Sequence, residues 1–108
     1  MTRYAYWDYT LARKHFDVTI EGVDNEAVVL IRDSAYDVTA ILEAMVALKA
    51  SDGSKDSGIT YIENNSSAAI FDDGTDVLTL AVASNGETTL QRTAGTMTFD
   101  VTLRMCWI

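Results

Sequence analysis

The 108-residue chain has very few of the residues that many kinds of protein chemistry require. Cys106 is its one cysteine, so no disulfide can form within the chain, which favours a reducing compartment. His15 is its one histidine, and a zinc site built from one histidine and one cysteine would lack ligands. Proline is absent where average usage would give about five, whereas threonine, which favours strands, is abundant.

Positive charge is also scarce. Eight lysines and arginines stand against 16 acidic residues, which gives a formal net charge of -8 and a pI near 4.3. An acidic surface repels phosphate backbones and anionic lipids, so we expect neither nucleic acid nor a membrane surface as partner. No apolar run approaches the length of a bilayer span, and we expect no secretion through a signal peptide.

Signatures of catalysis are missing from the sequence. Nucleophilic catalysis needs a nucleophile beside a base, and His15 with Cys106 is the one candidate dyad. No third group and no nucleophile-elbow motif accompanies that pair. The glycines form no phosphate-binding fingerprint. We therefore predict a protein that is not an enzyme and carries no cofactor.

Apolar residues make up 48% of the chain, which is enough for the core of a single domain spanning residues 1–108. The clearest pattern is the alternation over residues 96–108, which predicts a long strand that forms the spine of a sheet. Its apolar parity holds six residues: Met97, Phe99, Val101, Leu103, Met105 and Trp107. The final Trp107 and Ile108 are expected to be held against another part of the assembly.

Further strands are indicated before this spine. The motif at residues 16–20 (FDVTI) recurs at residues 99–103 (FDVTL), which predicts two strands of one sheet with the same inward face. A hairpin is predicted to join the first of these strands to the apolar run at residues 27–32. The dipeptide Asn85-Gly86 predicts a type I′ turn, and the last three strands are predicted to form an antiparallel meander.

One helix is predicted over residues 34–50, where apolar residues recur at helical spacing. The stripe expected to pack on the sheet consists of Val38, Ile41, Leu42, Met45 and Leu48. A ridge of small residues, Ala40, Ala44 and Ala47, lies on the opposite side of this helix. The ridge is interpreted either as a contact with a second subunit or as an alanine-rich exposed surface.

These elements predict an α+β fold. The sheet is expected to be mostly antiparallel with about six to eight strands, and one amphipathic helix packs on one face. One helix cannot cover so wide a sheet. The sheet therefore either curls into a barrel or sandwich around its own core, or is covered by other subunits.

The N-terminal residues 1–10 are rich in aromatic side chains on both strand parities, which favours either a first strand or an arm laid on a neighbour. Together with the alanine ridge and the C-terminus, they supply the predicted interface. Its residues are Tyr4, Tyr6, Trp7, Tyr9, Ala40, Ala44, Ala47, Trp107 and Ile108.

Residues 52–63 (DGSKDSGITYIE) resemble an EF-hand calcium loop. The resemblance implies calcium ligands at Asp52, Ser54, Asp56 and Glu63. The sixth position, which normally requires glycine, holds Ser57, and the glycine comes one residue later. No exit helix is indicated after Glu63, so a solvated polar loop is the alternative interpretation and no metal is predicted.

The missing chemistry and the surplus of apolar surface favour a non-enzymatic structural protein that acts through subunit contacts. We expect an accessory component of a bacteriophage particle, of the capsid-decoration, neck or tail type. Its partners would be copies of itself or other particle proteins, located in the virion or the host cytoplasm. The alternative is a small-ligand-binding or enzymatic α+β domain, with a pocket between helix and sheet and a calcium-binding loop at residues 52–63.

Overall fold

The computed structural model describes residues 3–7, 16–31 and 41–108 of the chain. Across these ranges the regular secondary structure consists of nine strands and no helix. The strands are β1 (Arg3–Trp7), β2 (Phe16–Val23), β3 (Val28–Ile31), β4 (Leu42–Ala50), β5 (Lys55–Ile62), β6 (Ser66–Asp72), β7 (Val77–Val82), β8 (Thr88–Ala94) and β9 (Phe99–Trp107). The predicted α+β class is therefore wrong, because the described part of the chain is all-β.

The strands form two sheets that pack face to face. Sheet A has the order β1-β3-β8-β7-β6, and sheet B has the order β2-β9-β4-β5. The described pairings are antiparallel except for β1 with β3, which is parallel. The rings of Phe71 in sheet A and Phe99 in sheet B lie 5.1 Å apart between centroids, and the buried residues of both sheets form one core. The chain is thus a β-sandwich, in which each sheet covers the apolar face of the other.

The largest correction concerns the predicted helix, because residues 42–50 form strand β4. Ala44 and Val46 face the core, whereas Met45 between them faces outward with 44% of its side chain exposed. The sequence is ambiguous here, since its apolar residues fit a helical stripe as well as an alternation of period two. Tertiary pairing decides for the strand, because β4 bonds to β9 on one side and to β5 on the other. Residues 34–40, the predicted start of the helix, lie outside the described residues.

The predicted spine is confirmed as β9, which lies between β2 and β4 in sheet B. Its alternation holds throughout, with one parity buried in the core. The repeated motif is confirmed as two adjacent strands, since Val18 lies opposite Leu103 and Thr19 opposite Thr102. The outward side chains of the pair include an Arg104–Asp17 ion pair with an N–O distance of 2.9 Å.

Two predicted connections are wrong because the chain changes sheets. β2 belongs to sheet B and β3 to sheet A, so they do not form a hairpin. β9 likewise leaves the meander, which consists of β6, β7 and β8. An alternating pattern shows which parity is buried, but it does not show which of two sheets a strand joins.

The β7–β8 hairpin is confirmed at Asn85-Gly86, but its turn type is not the predicted I′. Of the two residues, Gly86 alone has a positive φ, at 91°. The Gly86 N–H donates to the Ala83 carbonyl at 2.8 Å, and the Ala83 N–H donates to the Glu87 carbonyl at 2.9 Å. This is the three-residue loop in which a type I turn is followed by a glycine bulge.

Candidate functional site

The outer face of sheet B carries three large apolar side chains that are exposed. Met45 on β4 is joined there by Ile59 and Tyr61 on β5, which are 56% and 58% exposed. Met45 lies directly opposite Ile59 in the β4–β5 ladder. Since cross-strand neighbours of this kind have Cβ atoms about 5 Å apart, the three side chains form one apolar patch.

A concavity of about 430 Å³ lies on the same face, and its walls include Met45, Ile59 and Arg104. Arg104 and its ion-pair partner Asp17 are each more than half exposed, so a charged pair borders the apolar patch. An apolar centre with a polar rim is the usual composition of a protein–protein contact surface.

A polar cluster of Glu43, Tyr61 and Cys106 adjoins the patch. Glu43 lies between the other two residues in the strand register, and the Cys106 thiol donates to Glu43 Oε1 at 3.6 Å. The hydrogen bond from Tyr61 to Glu43 raises the pKa of Tyr61, because it stabilises the protonated phenol. Burial, and then the negative charge of Glu43, raise the pKa of Cys106.

The raised pKa argues against a nucleophilic role for Cys106, since the reactive species of a cysteine is the thiolate. The cluster supplies a negative charge next to the thiol, whereas activation through a lowered pKa requires a positive one. His15, the other member of the candidate dyad, lies outside the described residues.

We expect the Glu43→Gln variant to react several-fold faster than the unchanged chain with iodoacetamide near pH 8. Removing the charge lowers the pKa of Cys106, so more thiolate is present below that pKa. Cys106 is the one thiol of the chain, so the rate of mass increase reports on it alone. Glu87→Gln, at a turn of sheet A, is the control and should leave the rate unchanged. Equal rates for both variants would contradict the placement of Glu43 beside Cys106.

The predicted interface residues are distributed over both faces of sheet B and over β1. Ala44 is fully buried and Trp107 is 8% exposed, so both side chains belong to the core between the sheets. Ala47 is exposed on the outer face of β4. Ile108 is 62% exposed, although its backbone exchanges hydrogen bonds of 2.8 and 2.9 Å with Ile41.

The N-terminal part of the predicted interface lies at the edge of sheet A. The structure places Tyr4, Tyr6 and Trp7 in β1, which pairs in parallel with β3. The first-strand interpretation of residues 1–10 is therefore confirmed for residues 3–7. Tyr9 and Ala40, the remaining predicted contacts, lie outside the described residues.

The four candidate calcium ligands do not converge. Asp52 and Ser54 lie in the β4–β5 turn, where Asp52 Oδ1 accepts the Ser54 N–H at 2.9 Å and its pKa is lowered by this bond. Asp56 lies near the start of the extended β5 and Glu63 directly follows its end, which separates them by about 23 Å at the usual rise per residue. In the described residues no three Asp, Glu, His or Cys side chains are grouped so that they could hold a metal ion.

The local sequence pattern does not predict the apolar patch. Residues 59–62 belong to β5, where Ile59 and Tyr61 share one parity while Ile62 has the other, so both faces look apolar in the sequence. Met45 was assigned to the helical stripe that packs inward. The available signal was the alternation of residues 42–50, which places Met45 with Glu43 and Lys49 on a face opposite Leu42 and Leu48.

Across the three described ranges, no helix is long and apolar enough to cross a membrane. Nothing in the fold supports the bacteriophage attribution, and the α+β classification that accompanied it is replaced by an all-β one. No protein-family model matches the chain, and comparisons with curated proteins and with solved structures gave no match either.

Proposed function

We propose that this chain is a non-enzymatic structural protein that assembles with further copies of itself through sheet B. The observation that carries the proposal is the apolar patch of Met45, Ile59 and Tyr61, which lies on an exposed sheet face and reaches the outermost strand. Large apolar side chains grouped in this way mark contact surfaces more often than isolated ones do.

Burial of the patch supplies a driving force for association. Complete burial of a large apolar side chain contributes about 1.5–3 kcal/mol, and each of these three is already about half buried. We therefore expect about 1 kcal/mol from each side chain in each subunit. A symmetric pair counts the patch twice, because the same surface is used by both subunits.

The alternative function requires a pocket between helix and sheet. The helix that would form one wall of this pocket is replaced by β4 at residues 42–50. The concavity on sheet B is open along the sheet face, and its apolar lining includes Met45 and Ile59 of the patch. Such a shape is suited to a protruding protein surface rather than to an enclosed small ligand.

We expect the unchanged chain to sediment as a dimer or larger species at micromolar concentration. Met45→Lys should weaken this association at least tenfold, because it places a charge in the apolar patch. Ala94→Lys adds the same charge at an exposed position of sheet A and should leave the association unchanged. Sedimentation equilibrium measures all three. A monomeric chain throughout the accessible concentration range would contradict the proposal.

A further inference from the structure

Strand β5 differs from the other three outermost strands of the described sheets. The ladders of β1, β2 and β6 with their neighbours each contain a register shift, which bends a strand edge and protects it from pairing. The β4–β5 ladder runs without a shift from Lys49–Lys55 to Leu42–Ile62. A regular outermost strand with exposed apolar side chains is the type of edge to which another strand adds.

The hydrogen bonding of the β4–β5 turn determines which backbone groups of β5 face away from β4. The Ala50 N–H donates to the Ser54 carbonyl at 2.8 Å, so these two residues are a hydrogen-bonded pair of the ladder. Hydrogen-bonded and non-hydrogen-bonded pairs alternate along an antiparallel ladder. The even-numbered residues of β5 therefore bond to β4. The odd-numbered residues, Lys55, Ser57, Ile59 and Tyr61, direct their N–H and C=O groups to the edge that no described strand covers. At that edge the Ser57 N–H donates to Asp56 Oδ1 at 2.8 Å, a local bond that a pairing strand would replace.

We propose that β5 pairs antiparallel with β5 of a second copy of this chain, with Ile59 at the two-fold axis. This inference rests on the proposed self-assembly and specifies its geometry. Odd residues then bond to odd residues across the axis, so that Ile59 lies opposite its own symmetry mate. Met45 is the intramolecular neighbour of Ile59, so the two apolar patches join into one row across an eight-stranded sheet.

Charge pairing favours this register over the two adjacent registers. With Ile59 at the axis, Lys55 lies opposite Glu63 of the partner subunit, and symmetry repeats this ion pair. Moving the axis to residue 58 places Lys55 opposite Tyr61 of the partner subunit, and moving it to residue 60 places Lys55 opposite Asn65. Only the central register of the three matches opposite charges, and cross-strand ion pairs favour one register over another.

Disulfide trapping tests the register directly. In a Cys106→Ser background, Ile59→Cys places two thiols opposite each other at the axis, where Cα atoms of a hydrogen-bonded pair lie about 5.5 Å apart. We expect mild oxidation to convert most of this variant to a covalent dimer. Ser57→Cys is the matched control, because its two thiols would be separated by about 13 Å along the strands. It should remain uncrosslinked, and equal crosslinking of both variants would overturn the register.

Charge reversal provides a second measurement that does not alter Ile59. Lys55→Glu and Glu63→Lys should each weaken the dimer about tenfold, since like charges then lie opposite each other twice. The double variant should restore the dissociation constant to within about threefold of the original. If the unchanged chain associates but neither restoration nor trapping at residue 59 occurs, the edge pairing is wrong and the proposed assembly stands. If the unchanged chain is a monomer, both are wrong.

Discussion

Replacing Gly95 with alanine is expected to destabilise the fold by about 3 kcal/mol or more. Gly95 has a φ of 89°, a conformation that costs an L-residue about 1–2 kcal/mol. Its added Cβ would overlap the Asp76 carboxylate and lie 2.8 Å from Asp76 Cα. Backbone cannot move away as a flexible side chain can, so the crossover between β8 and β9 must shift.

The shift would break the contacts of a buried carboxylate. Asp76 is 6% exposed, and its Oδ1 accepts the N–H groups of Thr96 and Met97 at 2.7 and 2.9 Å. The Asp76 N–H donates to Asp73 Oδ1 at 2.7 Å, which links the β6–β7 turn to the segment that leads into β9. Hydrogen bonds to a charged group contribute about 1.5–3 kcal/mol each, so displacing Asp76 adds to the backbone strain.

Gly74→Ala separates the cost of the positive φ from the cost of the contact with Asp76. Gly74 has a φ of 90°, but nothing lies within 4 Å of the position of an added Cβ. The Gly74→Ala variant should therefore lose only the free energy that the positive φ costs an L-residue, about 1–2 kcal/mol. Urea unfolding of both variants measures the difference. Equal losses would show that the contact with Asp76 does not limit residue 95.

Local sequence patterns predicted the strands whose two faces differ in polarity. β9 has apolar residues on one parity and Asp100, Thr102 and Arg104 on the other, so its strand structure and its buried face follow from the sequence alone. The repeated motif predicted that β9 and β2 belong to one sheet, but it did not predict that they pair directly. The sheet to which β3 belongs did not follow, because all four of its residues are buried and no local signal separates the two sheets.

The helix was predicted because alanine is ambiguous. Ala44 and Ala50 occupy inward positions of β4, where their small size suits the close packing of sheet B against sheet A. In a sequence the same residues indicate helix, since alanine has the highest helix propensity. The pairing with β5 and β9 overrides that propensity, and it depends on residues far away in the sequence.

The calcium loop was suggested for a related reason. Aspartate, serine and glycine are favoured in turns because their side chains bond to nearby backbone N–H groups or permit positive φ. Asp52 does so in the β4–β5 turn, and Asp72 Oδ1 accepts the Gly74 N–H at 2.9 Å in the β6–β7 turn. Composition alone does not distinguish such turns from the early positions of a calcium loop. The two are distinguished by the position of Glu63, which the extended β5 carries away from the turn.

The exposed face of sheet B and its outermost strand β5 both depend on residues 42–50 forming a strand. The strand and the helix place two adjacent residues on opposite sides. In β4, Ala44 is fully buried and Met45 is exposed, whereas in the predicted helix Met45 packs inward and Ala44 lies on the opposite ridge. Glutamate at each position in turn therefore distinguishes the two structures.

The most direct test is urea unfolding of Ala44→Glu and Met45→Glu, compared at a concentration where the chain is monomeric. Burying an unpaired carboxylate is among the most destabilising of substitutions, so Ala44→Glu should lose more than about 3 kcal/mol or fail to fold. Met45→Glu should lose less than about 1 kcal/mol. The opposite order, with Met45→Glu the more damaging, would contradict the strand and the assembly surface built on it.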